Sequence, residues 1–149
     1  MIQPAVQSPN LWTEDSANRF AKELGQLFRR VAVLEVMRTK AKVKAVFGIP
    51  PLALGTELSL LEPTPLRFAV EAASPIVGAG RAPQGAVLAS SLALCTPRAY
   101  AVIPIVDRGR LVGLAYVDQG SEPLPLGSVA EIFRSCSVSN VRGIPMLIP

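Results

Sequence analysis

Residues 100–118 read YAVIPIVDRGRLVGLAYVD. Two apolar runs flank Asp107-Arg108-Gly109-Arg110, and a glycine at the second central position of a two-residue loop lets the backbone reach the positive φ that a tight hairpin demands. The stretch reads as a β-hairpin. An Arg108-Gly109 turn sets Val106 opposite Leu111, Ile105 opposite Val112, Pro104 opposite Gly113, Ile103 opposite Leu114 and Ala101 opposite Tyr116. Both faces of this pair are apolar. A hairpin wet on one side would alternate polar and apolar residues, so the pattern predicts a pair in the middle of a sheet with a layer covering each face.

Working outward, the residues before the hairpin supply the other elements. Residues 1–12 carry Pro4 and Pro9 and read as an irregular arm. Thr13 can cap a helix, Glu14 and Asp15 suit its positive end, and Ala17, Phe20, Ala21, Leu24, Leu27 and Phe28 recur at helical spacing, predicting a helix over 14–28. Gly25 inside it costs about 1 kcal/mol relative to Ala, which a close packing contact would explain. Residues 30–47 change to strand period. A turn at Thr39-Lys40 puts Glu35 opposite Lys44 and Met37 opposite Lys42, with Leu34, Val36, Val43, Ala45 and Phe47 on the buried face. Arg38, Lys40, Lys42 and Lys44 make a basic run, but Glu35 is there to neutralise Lys44 and no aromatic residue interleaves the cations, so it reads as a solvated face and no nucleic acid is expected.

Residues 48–63 read as a broken loop leading to a short strand around Leu58, Leu60 and Leu61. Thr64-Pro65 opens a short helix, because Thr caps and Pro at the first helical position gives up an N–H that had no partner. Ile76-Val77 is a brief strand, and 78–85, GAGRAPQG, is the most loop-like segment of the chain. It lacks both the Gly-Lys-Ser/Thr ending of a phosphate-binding loop and the spacing of a dinucleotide fingerprint. Arg81 within it could meet an anion, although a solvated loop is the plainer reading. Residues 87–94 fit a helix or an irregular strand equally well. After the hairpin, Ser128 caps a last helix with Val129, Ile132, Phe133 and Cys136 on one stripe. The tail, 138–149, is apolar.

Composition narrows the chemistry. The chain has 149 residues, enough for one domain with a core. Its net charge of +4 decides little, and no apolar run reaches the roughly 20 residues of a membrane span, so no membrane insertion is expected. The N-terminus does not read as a secretory signal, which predicts a cytoplasmic protein. Histidine is absent, which removes the commonest general base and metal ligand. Cys95 and Cys136 form neither a disulfide framework nor a zinc site and are expected to be reduced and buried.

A strand ending in Val102-Ile103-Pro104-Ile105, a short polar turn and then Leu111-Val112-Gly113-Leu114-Ala115-Tyr116 resembles the C-terminal hairpin of a GAF domain. The order helix, hairpin, short helix, loop, hairpin, helix over 13–137 is similar to that family's plan. The resemblance implies an α+β fold, a central antiparallel β-sheet flanked by helices, and a non-catalytic sensory or regulatory domain in signal transduction. It implies a small-molecule pocket walled by Leu66, Phe68, Val70, Val77, Arg81, Leu94, Tyr100, Val102 and Tyr116. It also implies a homodimer or a signalling-protein partner, with pairing through Phe20, Leu24 and Phe28. The chain departs from two ligand-binding subclasses. Cys95 precedes Thr96 rather than the His of bilin-binding members, and the Asn-Lys and Phe-Glu motif of the cyclic-nucleotide type has no counterpart, so no cofactor is assigned.

Two other readings compete. An interaction scaffold of the roadblock or longin kind would bind a protein such as a small GTPase, but it needs a long helix after the second strand, where 48–63 is broken by Pro and Gly. Some GAF-like proteins reduce methionine sulfoxide with cysteines, which would require Cys95 and Cys136 as nucleophile and resolving thiol.

Overall fold

Thr13 begins the first helix as the sequence anticipates: its hydroxyl accepts from the Ser16 amide at 3.1 Å. The computed structural model describes residues 13–107 and 109–141, with side chains other than those of Asp107 and residues 136–141. The expected N-terminal arm, most of the apolar tail and the side chain of Cys136 lie outside the described residues.

Helix α1 spans Glu14–Leu24 and buries Ala17, Phe20, Ala21 and Leu24. It stops short of the expected Phe28 because Gly25 takes the C-cap position and the chain turns there. The packing contact anticipated for Gly25 is with Phe47: a Cβ at Gly25 would sit 2.4 Å from the Phe47 ring. Phe28 follows in the turn and is still buried.

Strands β1 (Arg30–Val36) and β2 (Lys40–Phe47) form the first hairpin. A register shift between Val33 and Leu34 pairs Leu34 with Val43 but Val33 with Ala45, leaving Lys44 as the extra residue. That bulge corrects the expected face assignment, since side chains on the two sides of an inserted residue exchange faces. Val43 packs with Leu34 on one face of the sheet, while Ala45 packs with Val33 on the other. Glu35 lies opposite Lys42 rather than Lys44, yet its carboxylate still reaches the Lys44 ammonium at 3.7 Å. Lys40 pairs with Glu57 at 2.8 Å, and that contact lowers the Glu57 pKa through the hydrogen bond first and the lysine charge second. The basic run is thus interleaved with carboxylates.

A single turn of 3-10 helix at Pro51–Ala53 leads to the short edge strand β3 (Glu57–Ser59). Helix α2 (Pro65–Ala72) starts at Thr64, whose hydroxyl accepts from the Arg67 amide at 3.4 Å. Strand β4 (Ile76–Ala79) and helix α3 (Pro83–Ser91) leave only three residues between them, so the glycine-rich segment is not the long loop expected. Gly78 belongs to β4 and Gly85 to α3. The segment whose period was ambiguous, 87–94, is mostly helix.

The second hairpin, β5 (Ala99–Asp107) and β6 (Arg110–Asp118), occupies the middle of a six-stranded antiparallel sheet ordered β3-β2-β1-β6-β5-β4. Gly109 has φ of 78°, as the turn requires. Val106 pairs with Leu111 as expected, but a bulge at Val112 shifts every later pair by one residue. Ile105 therefore faces Gly113, Pro104 faces Leu114 and Ile103 faces Ala115. Pro104 lies past Val102, the last β5 residue paired with β4, where β5 has an open edge and a missing N–H breaks no ladder on that side.

Helix α4 (Leu126–Val141) closes the described chain and begins two residues before the expected cap, Ser128. One face of the sheet is covered by α1 and α4, with Phe20, Leu24, Phe28, Val129 and Phe133 packed on Val31, Val33, Ile103 and Val117. The other is covered by α2 and α3, with Leu66, Ala69, Leu88 and Leu92 packed on Leu34, Val43, Val102 and Leu114. Each fully buried Leu or Phe contributes about 1.5–3 kcal/mol. Two covered faces explain why the central hairpin is apolar on both.

Candidate functional site

On the face carrying α2 and α3, the helices do not close completely over the sheet. The connection from β3 into α2 and the outer side of α3 form the two walls of a cleft of about 280 Å³. Leu58, Pro63, Pro65, Leu66, Val87 and Leu88 give it an apolar lining, and Ser59, Thr64, Gln84, Ser91 and Glu62 supply polar groups. The wall from β3 to α2 is held in place locally. Arg67 donates to the Leu61 carbonyl at 2.7 Å and to Glu71 at 2.8 Å one helical turn on, while Ser59 accepts from the Leu61 amide at 3.0 Å. The opposite wall is set by Pro83, which opens α3, and by Leu88 and Leu92, whose burial fixes the helix rotation so that Val87 and Ser91 look outward.

This lining is suited to binding. Apolar walls with a few hydroxyl, amide and carboxylate groups hold the body of a small molecule and fix its orientation. Glu62 is the one titratable residue in it. Among the described residues, no three His, Cys, Asp or Glu side chains gather into a metal-ligand cluster.

The residues singled out from the sequence fall in several places. Leu66 lines the cleft. Tyr100, Val102 and Tyr116 do not line it but share one buried cluster with Leu66 and Leu88, against which Leu94 and Val70 pack. Phe68 is half-buried on α2, and Val77 is exposed on the edge strand β4. Arg81 lines a separate hollow beyond α3. Phe20, Leu24 and Phe28, expected as contacts between copies, are all buried in this chain's own core, so they present no surface to a second molecule. Cys95, expected to be buried, is an exposed free thiol.

A buried polar network closes the ends of β1 and β6, where Arg30 pairs with Asp118. Tyr100 and Tyr116 stack with ring centroids 6.2 Å apart, and the Tyr116 hydroxyl donates to Asp118. Asp118 is fully buried and also accepts from Arg30 Nε at 2.7 Å and from the Gly120 amide at 2.9 Å. Arg30 reaches on to the Cys95 carbonyl at 3.2 Å. Burial, then the Asp118 charge and the hydrogen bond to it, push the Tyr116 hydroxyl far above the ordinary phenol range, and burial raises Tyr100. With the Asp118 carboxylate bound by Arg30, Tyr116 and the Gly120 amide, this network ties the ends of β1 and β6 together.

No family model and no curated protein matches the sequence. Solved structures do match its shape. A GAF domain from a phosphoenolpyruvate-protein phosphotransferase of Coxiella burnetii superimposes with a TM-score of 0.71 at 18% identity, covering 92% of this chain and 84% of that one. The phycocyanobilin-bound GAF domain of a cyanobacterial phytochrome gives 0.65 at 14% identity, covering 89% and 84%. A type II free methionine-R-sulfoxide reductase from Thermoplasma acidophilum gives 0.63 at 13% identity, covering 85% and 86%. At such identities the likeness speaks to the fold: six antiparallel strands between two pairs of helices, the GAF-like α+β architecture.

Proposed function

We propose that this chain is a sensory or regulatory domain of the GAF type in signal transduction, non-catalytic, and that the cleft between the β3–α2 connection and α3 receives a small, mainly apolar ligand. The cleft carries this reading. It is apolar, it has several polar groups for orientation, and it adjoins the buried layer that contains the central hairpin. The domain works in the cytoplasm and passes its signal to a second copy or to a partner protein, through a surface other than the buried stripe of α1. Ligand binding would bridge α3 and the β3–α2 connection, which both line the cleft. A roadblock-type scaffold is less well supported, because a 3-10 turn and a short strand follow β2 where that fold needs a long helix.

Methyl-resolved NMR tests the site. Ligands from a small-metabolite library are expected to shift the methyl signals of Leu58, Leu66, Val87 and Leu88 together and to leave those of Val31 and Val129, across the sheet, in place. Shifts confined to the α1–α4 face would overturn the assignment of the cleft.

A thiol-enzyme reading is favoured by one observation, the exposure of Cys95. On the regulatory reading, the purified protein with a dithiol reductant produces no methionine from free methionine sulfoxide. Turnover lost in Cys95→Ser would replace it.

A further inference from the structure

Beyond α3, on the side away from the cleft, Arg81, Thr96, Arg98 and Ser121 line an open hollow with Ala86 and Pro97. The β4–β5 ladder ends here. Ala79 pairs with Ala99, and the Gly80 amide continues the pattern by donating to the Arg98 carbonyl at 3.1 Å. Close packing then fixes the approach of the two strand ends, because a Cβ at Gly80 would lie 1.8 Å from the Pro97 carbonyl oxygen. On the far side, the Arg98 amide donates to the Gly120 carbonyl at 2.8 Å, which brings the segment bearing Ser121 alongside. Arg81 and Arg98 are therefore placed by backbone contacts and are not carried on a long free loop.

Among the described residues, neither Arg81 nor Arg98 takes part in an ion pair. The nearest buried carboxylate, Asp118, is already bound by Arg30, Tyr116 and the Gly120 amide. Glu122 follows Ser121 in sequence and is exposed. Two like charges lining one hollow without a counter-charge repel each other, and an anion between them would relieve that repulsion. Guanidinium groups match planar or tetrahedral oxyanions through paired N–H donors, and hydroxyls can complete the set.

We infer that this hollow is a binding site for a phosphate-type dianion, free or as the phosphomonoester of a small molecule, held by Arg81 and Arg98 with Thr96 and Ser121 as additional donors. The site is independent of the cleft, which lies across α3.

The test is titration of the full chain with inorganic phosphate and with a simple phosphomonoester such as glycerol phosphate, followed by amide NMR at constant ionic strength. Saturable one-to-one shifts at Arg81, Arg98 and Ser121 are expected. Arg81→Gln and Arg98→Gln should each weaken binding about tenfold or more, as loss of a charge-assisted hydrogen bond predicts. Arg134→Gln, on α4, should leave binding unchanged. Equal affinity for the two probes would identify the phosphoryl group alone as the ligand, and tighter binding of the ester would show that the carbon skeleton is also recognised; both support the site. Non-saturable shifts, shifts reproduced by sodium chloride, or undiminished binding by the doubly substituted Arg81→Gln/Arg98→Gln protein would overturn it. Unchanged melting temperatures of the variants would show that lost binding is not lost folding.

Discussion

Arg30, the first residue of β1, and Asp118, the last of β6, meet through a 2.7 Å contact between Nε and Oδ1, and Asp118 is wholly excluded from solvent. The pair joins strands whose residues lie 88 positions apart in sequence. It sits where the sheet hands over to the loop at Gln119 and Gly120.

Removing one partner strands the other, because an unpaired buried charge cannot recover its hydration. Arg30→Met is expected to destabilise the domain by about 3–5 kcal/mol, the range for breaking a buried pair. Asp118→Asn should cost less, about 1–3 kcal/mol, since the amide can still accept from Tyr116 while Arg30 keeps the Cys95 carbonyl. The double variant should lose less than the sum of the two, by urea denaturation.

The two stacked tyrosines predict an alkaline instability. Both hydroxyls are raised above their unfolded value of 10.0. The folded state therefore holds protons that the unfolded state releases, so this contribution is intact below pH 10 and is lost as pH rises above it. Stability should fall by up to about 1.4 kcal/mol per pH unit for each tyrosine that titrates only on unfolding. Denaturation curves between pH 8 and 11 check this, with phenolate absorbance appearing only as the protein unfolds. Tyr116→Phe should flatten the slope.

Two glycines with positive φ separate backbone strain from steric exclusion. Gly48 has φ of 72°, and a Cβ there would lie 2.0 Å from the Arg29 carbonyl oxygen, whereas Gly109 has φ of 78° with open space around it. Gly109→Ala should cost about 1 kcal/mol from left-handed strain alone. Gly48→Ala should cost clearly more than the 1–3 kcal/mol assigned to strain, since the β1 backbone must move as well. Thermal unfolding of both variants makes the comparison.

Much of the fold can be read from the sequence because its strongest signals are local. Thr13 and Thr64 cap the helices they precede, and the runs on either side of Arg108-Gly109 pair as a hairpin. The register is harder to read for a definite reason. A bulge adds one residue, and where both faces are apolar, as at Val112, the added residue leaves the pattern unbroken. At Lys44 the bulge is hidden because lysines continue the alternation while Ala45 crosses to the other face. The cleft was illegible because its walls come from 58–66 and 83–91, and the second has no clear period. Phe20, Leu24 and Phe28 illustrate the converse: an apolar helical stripe has the same spacing whether it meets its own sheet or a second molecule.

The central claim is that the cleft between the β3–α2 connection and α3 takes a small ligand. Val87 is 61% exposed on its wall, so Val87→Trp should fill the space without disturbing the core. Thermal-shift titration of the native and Val87→Trp proteins against a panel of small, mainly apolar metabolites is the direct measurement. The account predicts a saturable rise in melting temperature for the native protein, equivalent to about 2.7 kcal/mol at a ligand concentration 100 times Kd, and its loss in Val87→Trp. A rise of the same size in both proteins, or none in the native protein across the whole panel, would contradict it.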